Sequence, residues 1–152
     1  MDGVVALTGK DVIKINDRLL NDLMDGDVAS LVFPNDTVVA KTGKNGNTIF
    51  SFKYDGKVCN FTLRVVRGSS DDKFLNNLFN LLNNDPAAFS LMSGEFAKQI
   101  GDGSGNITQD IYILSGGIFK KAPEGKENAD GETDQAVTVW ELIFTNAPRS
   151  IG

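Results

Sequence analysis

From Cys59 to Val65 apolar and polar side chains alternate without a break. Cys59, Phe61, Leu63 and Val65 share one face, and Asn60, Thr62 and Arg64 share the other. This period of two predicts a half-buried strand over residues 58–66. Gly68 and Ser69 then interrupt the pattern. Ser69 followed three residues later by Asp72 matches a capping box, and Asp71 adds negative charge to the first turn of a helix. Phe74, Leu75, Leu78, Phe79 and Leu82 recur at helical spacing, which predicts one apolar stripe facing the core. Asn83, Asn84, Asp85 and Pro86 end it.

The other segments read mostly as strands. Val4–Leu7 and Val12–Ile15 flank a Thr8-Gly9-Lys10 turn. Asp22–Asp27 is acidic and suits a loop, with a helical turn over Arg18–Met24 as the alternative. Val28–Phe33 predicts a strand ended by Pro34. Thr37–Lys41 and Thr48–Tyr54 flank a polar Thr42–Asn47 connection containing Asn45-Gly46, a strong hairpin signal, and Phe50, Phe52 and Tyr54 fall on one face. Asp55-Gly56 predicts a second turn of the same kind. Phe89–Ile100 suits either a strand broken at Ser93-Gly94 or a short helix. Ile107–Leu114 and Ala136–Thr145 predict strands, the latter with Trp140, Leu142 and Phe144 on one face. Lys121–Gln135 has almost no apolar residue and predicts an exposed, mobile loop. The sum is a mainly β fold, a β-sandwich or partial barrel with one packed α-helix, in a single domain over residues 1–152.

Composition narrows the chemistry. A length of 152 residues, 41% hydrophobic and 23% charged, fits one globular domain with a real core. No run approaches the roughly 18 apolar residues of a membrane helix, and MDGVVALTGKDVIKIN has neither the basic start nor the apolar centre of a signal peptide. The only cysteine, Cys59, excludes an internal disulfide and predicts a space-filling role in its strand. There is no histidine, which removes Ser-His-Asp and Cys-His catalysis and most transition-metal sites. Twenty Asp and Glu residues allow many pairings, but none is marked out by context as a catalytic pair. Asp102, Ser104 and Asn106 mimic the first ligands of a calcium loop. Ile107 and Ile113 then stand where Gly and Glu are required, so a hairpin turn accounts for the segment. The Asn-X-Thr sequons at Asn35, Asn60 and Asn106 carry no weight without a secretory signal. A net charge of −5 argues against a protein that grips nucleic acid. Lys10 with Lys14, and Lys41 with Lys44, read as solvated faces. No enzyme and no cofactor emerge.

Two stretches resemble the tail tube proteins of contractile-tailed bacteriophages, the myovirus type. They are LTGKDVIKINDRLLNDLMDGDVASLVFPND, residues 7–36, and TLRVVRGSSDDKFLNNLFNLLNND, residues 62–85, a little over a third of the chain. The resemblance implies a tube-like fold closing into a homohexameric ring, with rings stacked into a hollow tube inside the contractile sheath. It implies a structural, non-enzymatic subunit of the virion tail, assembled in the bacterial cytoplasm, through which DNA passes during ejection without specific binding. The implied partners are further copies of the chain, the tail sheath protein, and the baseplate and tail terminator proteins; membrane binding is not implied. Six copies at −5 each would bring −30 formal charges per ring, which repels phosphate and favours free transit. The related fold also occurs in baseplate tube initiators and in the tubes of type VI secretion systems and contractile bacteriocins. A small monomeric ligand-binding β-barrel and a carboxylate enzyme are the rivals from other classes.

Within that expectation, Thr108 and Asp110 are candidates to line the lumen, followed by Ser51, Lys53 and Asn60. Thr42, Lys44, Asn45, Gly46 and Asn47, at the hairpin tip, are candidates for stacking between rings, together with the N-terminal strand. Glu124–Asp134, an acidic loop, either reaches a neighbouring subunit, faces the sheath, or is a mobile solvent loop. Arg64 and Arg67 are expected to pair with Asp71 or Asp72 in preference to another subunit.

Overall fold

The alternation of Cys59–Val66 becomes the most deeply buried strand of a mainly β protein, because its apolar face meets side chains from three directions. The computed structural model describes residues 5–7, 11–23, 28–125, 127, 129–131 and 133–152. In chain order these form β1 (Ala6–Leu7), β2 (Val12–Ile15), β3 (Arg18–Leu19), β4 (Ala29–Val32), β5 (Val38–Thr42), β6 (Thr48–Phe52), β7 (Cys59–Val66), α1 (Ser70–Asn84), β8 (Met92–Gly101), β9 (Ile107–Phe119), β10 (Val137–Asn146) and β11 (Arg149–Ile151). Single 3-10 turns occupy Tyr54–Lys57, Pro86–Ala88 and Thr133–Ala136.

The main sheet is antiparallel, in the order β3-β2-β8-β9-β10-β7-β4. β1 also pairs with β8, and β11 with β9. The sheet curls until its inner faces meet. Phe61 of β7 packs edge-on against Phe96 of β8 and Phe144 of β10, with ring centroids 5.6 and 6.1 Å away. Phe61, Leu63, Val65, Trp140, Leu142 and Phe144 are all fully buried there. The helix covers the same face. Leu75 is fully buried, and Phe74, Leu78, Phe79 and Leu82 pack against the core as its flanking stripe. Phe79 meets Phe119 and Trp140 edge-on, at 5.4 and 5.9 Å.

Long-range pairing changes several local expectations. β1 and β2 lie end to end along β8, Leu7 opposite Ile100 and Val12 opposite Ala97; the turn at Thr8–Lys10 lies outside the described residues. Arg18–Leu19 is a short strand instead of a helical turn, since its pairing with β2 leaves its backbone bonds satisfied by the sheet. Met24–Asp27 lie outside the described residues. The Phe89–Ile100 ambiguity resolves as a strand with a bulge between Met92 and Gly94. Asp55-Gly56 closes no second hairpin. It sits in the 3-10 turn that leads away from β6, because β7 takes β10 and β4 as its neighbours.

β9 is the longest strand and serves two partners on one side, β10 near its end and β11 near its start. Where it passes from one to the other, Gly116 adopts φ +64°, a conformation that costs glycine little. Any Cβ on Gly117 would run into the ring of Phe144. Leu114 and Ala147 stay buried on either side of this step.

Candidate assembly surfaces

The start of α1 is tied to the sheet by two carboxylates. Asp72 does part of what the capping pattern predicts: its amide donates to Ser69 Oγ at 3.3 Å. Its carboxylate reaches back one residue further than in a standard box, accepting from the Gly68 amide at 2.9 Å. It also accepts from Thr138 Oγ1 at 3.1 Å and Trp140 Nε1 at 2.9 Å, which joins the helix to β10. Asp71 is 1% exposed. It accepts from the Asn21 and Asp22 amides at 2.6 and 2.7 Å and from Arg18 Nε at 3.1 Å. Asp22 answers by accepting from Ser70 Oγ and the Asp71 amide. The expected partners of these carboxylates were Arg64 and Arg67. Instead Arg18 takes Asp71, while Arg67 Nη1 donates to the Gln135 carbonyl at 3.1 Å. Arg64 faces outward across from Val139, away from the helix start.

This frame holds β8 and β9 with one face turned away from the core. Their register puts Phe96 opposite Tyr112, stacked with ring centroids 6.1 Å apart on the inner side. Ala97 with Ile111, and Gln99 with Gln109, therefore share the outer side. Glu95 is the only charged residue that β8 and β9 place on that face, and Ile107 and Ile113 stand out from it, 60% and 50% exposed. Thr108 and Asp110 belong to the inner side, in line with Tyr112, because each step along a strand reverses the face. Asp110 is engaged there: Arg149 grips it with two bonds of 2.7 Å from Nε and Nη2, and lies over the Tyr112 ring at 5.8 Å. The Arg149 contact holds the Asp110 carboxyl below the usual carboxylate range. It also fastens β11 to β9, helped by reciprocal 3.0 Å bonds between the backbones of Gln109 and Gly152. Beyond β11, and beyond β1 on the far side of β8, no described strand continues the sheet. Asn60 is half-buried on the outer side of β7, opposite Ile143 and Val32.

β5 and β6 pair only with each other, as a separate two-stranded ribbon. Every residue from Ala40 to Phe52 is exposed. Val38 opposite Phe52 and Ala40 opposite Phe50 form one apolar face. Tyr54 extends it, edge-on to Phe52 at 5.3 Å, and Phe50 and Tyr54 are 73% and 81% exposed. Ser51 lies on the opposite face, while Lys53 sits at the base, where its amide donates to the Thr37 carbonyl at 2.8 Å. Thr42 and Thr48 share a 3.1 Å hydroxyl bond near the tip. Lys44, Asn45 and Gly46 make the tip itself, closed by Gly43 N to Asn47 O at 2.7 Å.

The remaining polar features are structural. Asp102 accepts from the amides of Ser104 and Asn106 at 2.7 and 3.2 Å and from Asn106 Nδ2 at 2.7 Å. These bonds, the Asn106 side chain first, lower its pKa, and the segment is a self-satisfied turn. Among the described residues no group of three His, Cys, Asp or Glu side chains could hold a metal ion. Burial raises the Cys59 thiol above its ordinary value, more than its bond with the Phe144 backbone lowers it. Within Lys121–Gln135, Lys121 Nζ pairs with Glu141 Oε2 at 2.9 Å, and Pro123–Gly125 border a cleft beside Arg67, Lys73 and Asp72. No helix among the described residues is long and apolar enough to cross a membrane. The chain matches no protein-family model and no curated protein.

Proposed function

We propose that this chain is a structural subunit of a tube, the tail tube of a contractile-tailed phage, acting by assembly and without catalysis. The observation that carries the reading is the β8–β9 sheet: one face turned away from the core with Ile107, Gln109 and Ile113 exposed on it, and edges at β1 and β11 that no described strand pairs. A free strand edge in a lone subunit is a template for pairing with another chain. In a closed ring each such edge meets its neighbour, and the sheet becomes a continuous wall.

On this reading the lumen is lined by the outer side chains of β8 and β9, with Gln99, Gln109, Ala97 and Ile111 at its centre. These carry no charge, so a passing phosphate backbone finds neither a cation to stall it nor a dense row of carboxylates. Thr108 and Asp110, on the other face of β9, serve the subunit's own packing and the anchoring of β11. The hairpin, with Thr42–Asn47 at its tip, makes the contact between rings. A two-stranded ribbon is marginally stable alone in water, and this one presents an aromatic face to solvent, which suits a segment that finishes packing on assembly.

Negative-stain electron microscopy, together with mass measurement in solution, tests the proposal. Six-fold rings or hollow tubes are expected, alone or grown from a preformed baseplate. A chain that stays monomeric under both conditions at micromolar concentration and above would overturn it.

A further inference from the structure

Asn45-Gly46 is the only place in the chain where glycine follows asparagine. In such a pair the side-chain amide lies open to attack by the backbone nitrogen of the next residue, because glycine brings no Cβ to shield it. The fold adds to this exposure. Asn45 lies among exposed residues at the tip of the ribbon, and its side chain makes no hydrogen bond among the described residues. Gly46 takes φ +84°, and the place a Cβ would occupy has no atom within 4 Å. Several other asparagines are held or shielded. Asn106 Nδ2 donates to Asp102 Oδ2 at 2.7 Å, and branched Ile107 follows it. Asn16 Oδ1 accepts from the Ser93 amide at 3.0 Å. Asn47, near the same tip, is followed by branched Thr48.

One restraint acts on the pair. The Gly46 amide donates to the Gly43 carbonyl at 3.0 Å, so it becomes a nucleophile only when the turn opens. The ribbon pairs with no other strand, and two strands alone are marginally stable in water. Opening of this turn therefore belongs to the low-energy end of the local fluctuations of the molecule.

We propose that Asn45 is a site of spontaneous covalent modification, converted without an enzyme to aspartate and isoaspartate while the rest of the subunit stays folded. In the opened turn hydroxide removes the Gly46 amide proton, and the nitrogen attacks Asn45 Cγ. The new N–Cγ bond closes a succinimide ring. The Cγ–Nδ2 bond breaks, and Nδ2 takes a proton from water and leaves as ammonia. Water then opens the ring. Addition at Cγ restores the backbone and leaves aspartate. Addition at the main-chain carbonyl cuts the original peptide bond and leaves isoaspartate, with the chain rerouted through Cγ. The net change is water consumed and ammonia released, with no oxidation or reduction. Either product puts a carboxylate on a ribbon whose residues 38–53 include Lys41, Lys44 and Lys53 and no Asp or Glu. Isoaspartate also inserts a carbon into the backbone between Gly43 and Asn47, whose 2.7 Å bond closes the turn.

Ageing the purified, folded chain at mildly alkaline pH, well below its melting temperature, tests this. Trypsin cuts after Lys44 and Lys53, so one peptide, residues 45–53, carries Asn45 and Asn47 together. Mass spectrometry should find acid at Asn45 at least tenfold faster than at Asn47 or any other asparagine, as two products separable by chromatography. The rate should rise in step with hydroxide concentration. Asn45→Gln, whose longer side chain closes its ring far more slowly, should lose the signal and keep the same circular dichroism spectrum. In the isoaspartate form, hydrogen exchange at the Gly43 amide should accelerate at least tenfold while that at β7 stays unchanged. Acid spread evenly over the asparagines, or found at Asn45 only after unfolding in urea, would overturn the proposal. So would an Asn45 amide still intact when Asn47 has reacted.

Discussion

Asp71 shows how far one side chain can depart from the role its position suggests. A carboxylate in the first turn of a helix ordinarily gains from the helix dipole while remaining in water. Here it is buried and collects two backbone amides and a guanidinium from the 18–22 segment. Asp71→Ala should therefore cost about 2–4 kcal/mol, the penalty for leaving such donors unpaired; urea denaturation would read it as a lower midpoint with unchanged slope. Asp110 gives a pH-dependent counterpart. Its folded pKa lies below the ordinary value because of Arg149, so its stabilising contribution is fully present above the unfolded carboxylate pKa. That contribution is lost as the pH falls through the lower, folded value. Acidification should release β11 before the core melts, and hydrogen exchange at the Gln109 and Gly152 amides should accelerate ahead of that at β7.

At the scale of the element, α1 and the β5–β6 ribbon are opposites. The helix is amphipathic and its stripe is buried; the ribbon is amphipathic and its apolar face is not. Replacing Leu78 and Phe79 together with Asp should prevent folding, since the stripe would lose its packing and carry charges into it, at a combined cost of at least about 4 kcal/mol. Soluble protein with a native-like spectrum would refute the packing of α1 described above. The matching change in the ribbon, Phe50→Ser with Phe52→Ser, should leave the melting temperature of the subunit within a few degrees of the original, because both rings are half or more exposed. It should instead abolish stacking, seen as short or absent tubes in electron micrographs.

For the whole molecule, the proposed ring would use together the outward face of β8–β9 and the edges at β1 and β11. A lone subunit gains nothing from leaving either open, whereas a ring uses both. If that face lines a lumen, Gln109→Lys places a cation in the channel once per subunit. Tubes of unchanged diameter are expected, but they should retain DNA at low salt and release it as salt rises, read by a filter-binding titration. Tubes that bind no DNA despite the substitution would put this face elsewhere in the assembly.

Sequence by itself determined the elements with a strong internal period. The alternation in β7 and β10, the stripe and cap of α1, and the Asn45-Gly46 turn of the ribbon are all local rules written within ten or so residues. The absence of catalytic histidine is equally plain from composition. Tertiary structure decided what local rules cannot reach. Arg149–Ile151 is too short to show any period and is a strand only because β9 offers it an edge. The faces of β9 were set by pairing, which put Gln109 and Ile111 outside and Thr108 and Asp110 inside. The aromatic residues of β6 look in sequence like half of a core. They remain in solvent because β7 takes its neighbours from β10 and β4, and β5 and β6 pair only with each other.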